Sequence, residues 1–273
     1  DDYFIRQIGE LLTNYGKIDY LWFDGCGSEK HQYDQKRVMA EIRRMQPDIR
    51  VFEMWDPDTR WVGNEDGYAD LPNFNETDAT DFEQKNPPDQ PLMRRYLPVE
   101  CDCMIRDTWF DCELNEDKLK SVDELVGMYE LSVGRGANLL LNIGPDARGL
   151  LPDADAKRLL AFGEAIRARY GTPLEGFSEF QSAAAGGFIE SGKSALVNRV
   201  ILEEDLSMGE SVKEFSIYAD LDVSKGRRVR VGMNIGHKAI CMFPTVRTSK
   251  LTVEIDGHEE AYRLKSMRAY YVK

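Results

Sequence analysis

The chain has 273 residues, a formal net charge of −13 at pH 7, and a composition that is 42% hydrophobic and 30% charged, which is typical of a globular protein. The negative charge argues against nucleic acid or an anionic membrane as a partner, because phosphate binding requires a basic surface. No apolar run approaches the roughly 18 to 20 residues that span a bilayer. We therefore expect a neutral or weakly charged substrate.

The first residues already follow a helical pattern. Apolar side chains recur at helical spacing from Phe4 to Leu12, and the chain does not begin with Met. We therefore expect a fragment or a processed chain, and the sequence leaves its compartment open.

Helical patterns alternate with short apolar runs up to about residue 170. Helices are predicted over residues 3–15, 32–46, 121–134 and 153–169, and strands over residues 18–23, 49–54, 97–105 and 138–143. This alternation is typical of parallel β/α units. About four strands are visible, half of what a closed eight-stranded barrel needs. We predict an α/β fold in which residues 1–172 form the C-terminal half of a (β/α)8-type barrel, with residues 56–95 as a long loop over an active site.

The pattern changes after residue 173. Short β-type runs follow, at residues 196–202, 214–219, 228–233, 239–243 and 251–255, with polar turns between them. This spacing predicts an antiparallel β-sandwich over residues 173–273. Its acidic segment, residues 203–205, suits either a calcium site or a solvated turn.

Asp24 ends the first predicted strand, in the segment Leu-Trp-Phe-Asp-Gly over residues 21–25. Acids at the C-terminal ends of barrel strands lie on the catalytic face. Gly25 and Gly27 let the backbone turn sharply, and Trp22 points to the same side of the strand as Asp24. A cap of the following turn is the alternative role for Asp24.

Glu65 lies in the glycine-flanked segment Trp-Val-Gly-Asn-Glu over residues 61–65, after the second strand. A retaining glycosidase needs two carboxyl groups about 5 Å apart, one as nucleophile and one as acid/base. Asp24 and Glu65 are the residue types that this chemistry needs. The composition of the loop alone would equally fit Glu65 as a solvent-exposed acid without a catalytic role.

The cysteines form no metal-binding pattern. There are five, and Cys101 and Cys103 are too close for a usual zinc half-site. We expect buried thiols and neither a metal nor a cofactor.

These segments resemble glycoside hydrolase family 29, the α-L-fucosidases. The resemblance rests on residues 21–25 and 61–65, on Pro-Val-Glu-Cys-Asp-Cys-Met-Ile-Arg-Asp-Thr-Trp-Phe over residues 98–110, and on Gly-Arg-Gly-Ala-Asn-Leu-Leu-Leu-Asn-Ile-Gly-Pro over residues 134–145. It covers roughly residues 1–172. The Gly-Asn-Glu loop and the following β domain are more similar to the subfamily that prefers α1,3 and α1,4 linkages.

The resemblance implies a retaining hydrolase that releases terminal α-L-fucose from oligosaccharides or glycans. It implies that Asp24 is the nucleophile and Glu65 the acid/base. Trp22 would pack against fucose, and Arg106 and Trp109 would wall the sugar site. Glu100 would be a site-supporting carboxylate or a structural acid. The domain after residue 172 would be carbohydrate-binding-like.

Two departures from the family pattern leave rival functions open. Asp107 and Thr108 stand where members often have Pro-Gly, and the first barrel strands, with their fucose-binding histidines, have no counterpart among the three histidines here. A catalytically incomplete carbohydrate-binding fragment, which would need the N-terminal barrel half, is one rival. An α-L-galactosidase-type glycosidase is the other.

Overall fold

The computed structural model describes residues 1–24, 30–78, 94–111, 117–221, 224–258 and 261–273. The chain divides into two compact units, one of residues 1–63 and 75–100 and the other of residues 64–74 and 101–273. Within the described ranges, no helix is both long enough and apolar enough to cross a membrane. The helices are α1 Asp2–Asn14, α2 Gln35–Met45, α3 Val122–Leu131 and α4 Asp153–Tyr170.

The strands fall into two groups along the chain. Those before residue 143 are β1 Tyr20–Trp22, β2 Arg50–Phe52, β3 Arg60–Trp61, β4 Glu76–Thr77, β5 Arg95–Tyr96, β6 Val99–Met104 and β7 Asn138–Asn142. Those after residue 180 are β8 Gln181–Ala183, β9 Gly186–Glu204, β10 Val212–Leu221, β11 Ser224–Met233, β12 Ala239–His258 and β13 Leu264–Tyr270.

The first unit contains a parallel β/α element. β1 pairs in parallel with β2, and α2 forms the crossover between them, as the sequence predicts. The Asp34 carboxylate accepts a hydrogen bond from the Arg37 N–H at 3.1 Å, which satisfies an open donor at the start of α2. Helices and strands share one apolar core of Ile8, Leu12, Val38, Met39, Ile42, Ile49, Val51, Met54 and Trp55.

The long polar stretch in this unit holds short strands rather than a single open loop. β3 pairs in parallel with the start of β6, so that Trp61 lies opposite Glu100. β4 and β5 form an antiparallel pair. Asn75 stabilises this region through two backbone contacts, since its side chain accepts from the Val99 N–H at 3.1 Å and its carbonyl from the Leu97 N–H at 2.6 Å.

In the second unit, sequence signals set the ends of α3 and α4. Ser121 and Glu124 form a capping box, with bonds of 3.2 Å and 2.7 Å between each side chain and the other residue's N–H. Pro152 precedes α4, and Asp153 and Asp155 lie in its first turn, where negative charge interacts favourably with the helix dipole.

The strands after residue 180 form a six-stranded antiparallel sheet in the order β11-β10-β12-β9-β13, with β8 on β9. The antiparallel strands are confirmed. The expectation of separate strands at residues 239–243 and 251–255 is wrong, because both belong to β12, whose register with β9 shifts between Met242 and Val246 without ending the strand. The sandwich arrangement stays a prediction.

In the same unit, this sheet is joined to the turn that follows α3. The Ile240 N–H donates to the Gly134 carbonyl at 2.8 Å, and Arg135 forms a bridge with Ala239. A side chain at residue 134 would lie 2.2 Å from the Glu130 carbonyl oxygen, so glycine is required there. The motif that begins at Gly134 is therefore part of the junction with the sheet.

Candidate active site

Asp24 lies just beyond the first parallel strand. β1 ends at Trp22, and Asp24 follows two residues later with an exposed side chain. Gly25 and Gly27, predicted to turn the backbone, lie outside the described residues. Asp24 is thus at the C-terminal end of its strand, where catalytic groups of β/α barrels are found.

The indole of Trp22 is held on two sides. It stacks on Phe52 with ring centroids 4.4 Å apart and 10° between the planes, and its Nε1 donates to Glu100 Oε1 at 2.9 Å. Trp22 is nevertheless 37% exposed. The ring therefore combines a fixed orientation with a surface that a ligand can contact.

Glu100 is the buried residue of this cluster, and Tyr20 beside it is partly buried. The Tyr20 hydroxyl bonds to Thr59 Oγ1 at 2.7 Å, and Glu100 is only 2% exposed. Burial, together with the negative charge of Glu100, raises the pKa of Tyr20 well above its usual range. Tyr20 therefore stays a neutral hydroxyl at any physiological pH.

Sequence reasoning missed Phe52 and Tyr20, although signals for both exist. Phe52 lies opposite Trp22 in the β1–β2 register, and Tyr20 lies two residues before Trp22 on the same face of the strand. Parallel pairing of the first two strands, once predicted, places these side chains beside Trp22.

Glu65 occupies an exposed turn in the second unit. On its N-terminal side the Asn64 side chain accepts from the Asp66 N–H at 3.0 Å and donates to the Tyr68 carbonyl at 3.2 Å. On its C-terminal side Asp66 forms an antiparallel bridge with Cys103. The backbone around Glu65 is therefore held by contacts on both sides while its side chain faces solvent.

Gly67 completes this turn. Its φ is +75°, and an added Cβ would lie 2.5 Å from Met128 Cε and 3.0 Å from Cys103 Sγ. Only glycine combines this backbone conformation with so close an approach. The loop of Glu65 is thus seated directly against α3 and β6.

Arg106, predicted to wall the sugar site, forms a buried ion pair. Its Nε lies 3.0 Å from each carboxylate oxygen of Asp155, and its Nη2 lies 2.5 Å from Oδ1. The side chain of Asp155 is 1% exposed. The guanidinium therefore links the end of β6 to the first turn of α4, and its contact with a sugar stays a prediction.

The turn that carries Trp109 is fixed by β7 and the residues after it. Asn142 Nδ2 donates to the Trp109 carbonyl at 2.8 Å, and Thr108 Oγ1 donates to the Phe110 carbonyl at 2.7 Å. A side chain at Gly144 would lie 2.5 Å from the Asp111 nitrogen. Thr108 thus supplies a hydrogen bond that closes this local turn. Trp109 itself is partly buried.

The described cysteines are buried, and Glu203 and Glu204 lie at the end of β9 rather than in a solvated turn. Cys101, Cys103 and Cys241 are buried, as expected, and burial raises the pKa of Cys103 to about 11; Cys26 and Cys112 lie outside the described residues. Glu203 pairs with Arg268, and Glu204 accepts from the Ser211 and Gly236 N–H groups. Among the described residues, no group of His, Cys, Asp and Glu is arranged to hold a metal.

The structure therefore brings Trp22 and Glu100 together, with Asp24 close in sequence, in the first unit. Glu65, Arg106 and Trp109 belong to the second unit. The catalytic and sugar-binding roles of all six residues stay predictions at this point.

Comparison with known proteins identifies the family. The model of the family described as "Alpha-L-fucosidase" matches residues 1–170. The chain belongs to the α-L-fucosidase family. This α-L-fucosidase-family chain resembles α-L-fucosidase 1 of Arabidopsis thaliana, with 26% identity over 93% of the chain and 58% of the relative.

Solved structures agree with this assignment. A candidate α-L-fucosidase from Bacteroides ovatus is 33% identical, with a TM-score of 0.87 over 99% of this chain and 51% of its own. A family 29 fucosidase from Ruminococcus gnavus, solved in complex with fucose, shares the fold at 20% identity, with a TM-score of 0.81 over 100% of this chain and 65% of its own. The chain thus spans between half and two thirds of the length of these relatives.

Proposed function

We propose that the protein containing this chain hydrolyses terminal α-L-fucosyl residues of oligosaccharides or glycans with net retention. The observation that carries this proposal is the family match over residues 1–170, within which Asp24 follows the end of a parallel strand. The fucose complex of the Ruminococcus gnavus relative is consistent with this substrate class.

The proposed chemistry uses two carboxyl groups. The Asp24 carboxylate attacks the anomeric carbon while the Glu65 carboxylic acid gives its proton to the departing glycosidic oxygen, which leaves a fucosyl ester on Asp24. Glu65, now a carboxylate, then takes a proton from water. That water attacks the anomeric carbon, breaks the ester bond and releases fucose with its original configuration. No cofactor takes part.

Trp22 is proposed to form the floor of the sugar site. Its stack on Phe52 and its bond to Glu100 fix the ring before a ligand arrives, and a preorganised ring loses little entropy on binding. Trp109 and Arg106 are proposed to contribute further walls. Glu100 would then act by orienting Trp22 rather than by touching the sugar.

The finer assignments are a preference for α1,3 and α1,4 linkages, and a chain divided into a partial (β/α)8 catalytic domain over residues 1–172 and a carbohydrate-binding-like β-sandwich over residues 173–273. Proton NMR of an aryl α-L-fucoside during turnover tests the central assignment. We expect α-L-fucose as the first product, whereas first release of β-L-fucose would contradict retention.

Two alternative functions can be tested, one by comparing substrates and the other by assaying the 273-residue chain alone. Faster turnover of an aryl α-L-galactoside than of the α-L-fucoside would favour the galactosidase alternative, since the two sugars differ at C6. Binding of fucosides by the 273-residue chain without turnover would favour the incomplete-fragment alternative.

The role of Glu65 is tested by the leaving group. Glu65→Ala should lower kcat for a fucosyl disaccharide by about 10²- to 10⁴-fold, the range of general acid catalysis. The same variant should slow formation of the fucosyl ester from a dinitrophenyl fucoside far less, because the dinitrophenolate leaving group departs without being protonated. Asp66→Ala, an exposed neighbour in the same turn, is the control. Equal losses on both substrates would contradict an acid role.

A further inference from the structure

A small cavity in the second unit is lined by three cationic residues among mainly apolar ones. Its volume is about 30 Å³, and Arg135, Arg230 and Lys238 line it together with Asn234 and Cys241. A single water needs at least ~10–15 Å³ by this kind of measure. The cavity is therefore too small for a sugar ring but large enough for the oxygens of a carboxylate or sulfate group.

Arg135 brings a desolvated charge to this cavity. Its Nη1 donates to the Ala69 carbonyl at 2.5 Å. Burial lowers the pKa of Arg135, the charge of Arg230 acts in the same direction, and Asp70 opposes them. Arg135 and Arg230 both line the cavity, and an anion bound there would interact favourably with both charges.

Arg230 belongs to β11, an edge strand of the six-stranded sheet. In the part of the chain that the structure describes, Arg227, Arg228 and Arg230 make no ion pair, although the chain carries 48 acidic and 35 basic residues. Charged residues on an edge strand also discourage pairing with other chains. Protection of the edge strand would explain all three arginines equally. Of the three, Arg230 alone lines the cavity.

The remaining lining groups do not supply a counter-charge. Burial raises the pKa of Cys241 to about 12, so its thiol is neutral. The side chain of Asn234 is already engaged with Asn73, accepting from its N–H at 3.0 Å and donating to its carbonyl at 2.7 Å. The cavity therefore presents positive charge from three side chains in an otherwise acidic protein.

We propose that this cavity binds a single oxyanion, the sulfate or carboxylate substituent of an acidic glycan. Arg230 and Lys238 would contact the anion from the open side and Arg135 from the inner side. Binding of an acidic glycan at this site would not depend on the proposed hydrolysis.

Isothermal titration of the 273-residue chain tests this proposal, with inorganic sulfate, galactose-6-sulfate and neutral galactose as probes at one ionic strength. We expect both sulfate-bearing probes to bind and galactose not to bind. Arg230→Gln should weaken binding by about tenfold or more, the loss expected for one charged hydrogen bond. Arg228→Gln, on the same strand but outside the cavity lining, should change the Kd by less than about twofold.

Each outcome assigns the site or removes it. Tighter binding of galactose-6-sulfate than of sulfate identifies a glycan substituent as the ligand, and equal binding identifies a free oxyanion. Equal losses in Arg228→Gln and Arg230→Gln would show a diffuse charge effect and overturn the proposal, as would binding of galactose or no binding of sulfate at tens of millimolar. If Arg135→Gln folds, as judged by circular dichroism, it should lose binding like Arg230→Gln.

Discussion

The indole Nε1 of Trp22 and the Oε1 of Glu100 are joined by a hydrogen bond of 2.9 Å between residues 78 positions apart in the chain. The Glu100 carboxylate is buried and the Trp22 indole is partly exposed. The bond therefore fixes the orientation of a ring that a ligand can still contact. Phe52 supports the same ring by stacking. This arrangement connects strand pairing in the first unit to the proposed sugar site.

Removal of the Glu100 carboxylate should therefore weaken substrate binding. In the full-length protein, Glu100→Ala should raise KM for an aryl α-L-fucoside by about tenfold with kcat within about twofold, because contacts made equally in ground and transition states affect KM alone. Glu100→Gln keeps an acceptor for the indole and should stay within about threefold of wild type. A loss of kcat at unchanged KM in both variants would indicate a structural role instead.

The buried pair of Arg106 and Asp155 should contribute to stability. Removing one partner of a buried ion pair leaves an uncompensated charge and costs about 3–5 kcal/mol. Asp155→Ala should lower the free energy of unfolding by about that amount in urea denaturation. Asp153→Ala alters an exposed acid in the same turn of α4 and should cost less than about 1 kcal/mol. Equal effects would show that the pair adds little beyond the helix dipole.

The turn that carries Glu65 should depend on glycine at residue 67. In Gly67→Ala, the positive φ and the clash with Met128 act together, and we expect a loss of about 2–4 kcal/mol in the free energy of unfolding and lower kcat. Gly149→Ala has a similar φ of +74° with nothing within 4 Å of an added Cβ, so it should lose only about 1 kcal/mol. Thermal denaturation of both variants measures the difference, and equal losses would argue against the clash.

The order of helices and strands was largely predictable from sequence. Apolar periodicity located α1 to α4 and β1, β2, β6 and β7 to within a few residues, and capping signals such as Ser121 and Glu124 explain why the ends are well marked. The length of β12 was not predictable, since a register shift inside one strand resembles a turn between two in the pattern of polar residues.

The sequence predicts residue types for the candidate site but not the contacts between them. The motifs predict Trp22, Asp24 and Glu65 as site residues, and those roles stay predictions. The partner of Trp22 depends on pairing across distant segments, which the motifs do not predict. Arg106 shows the same limit, because its pairing with Asp155 requires α4 to pack beside the end of β6. Neither contact leaves a periodic signal in the sequence.

Chemical rescue of Asp24→Ala in the full-length protein tests the central claim most directly. Without a carboxylate at residue 24 the fucosyl ester cannot form, so turnover of an aryl α-L-fucoside should fall by about 10³-fold or more. Added azide should restore turnover and yield β-L-fucosyl azide, the product of a single inverting attack. Activity close to that of the wild type, or no azide product, would contradict Asp24 as the nucleophile.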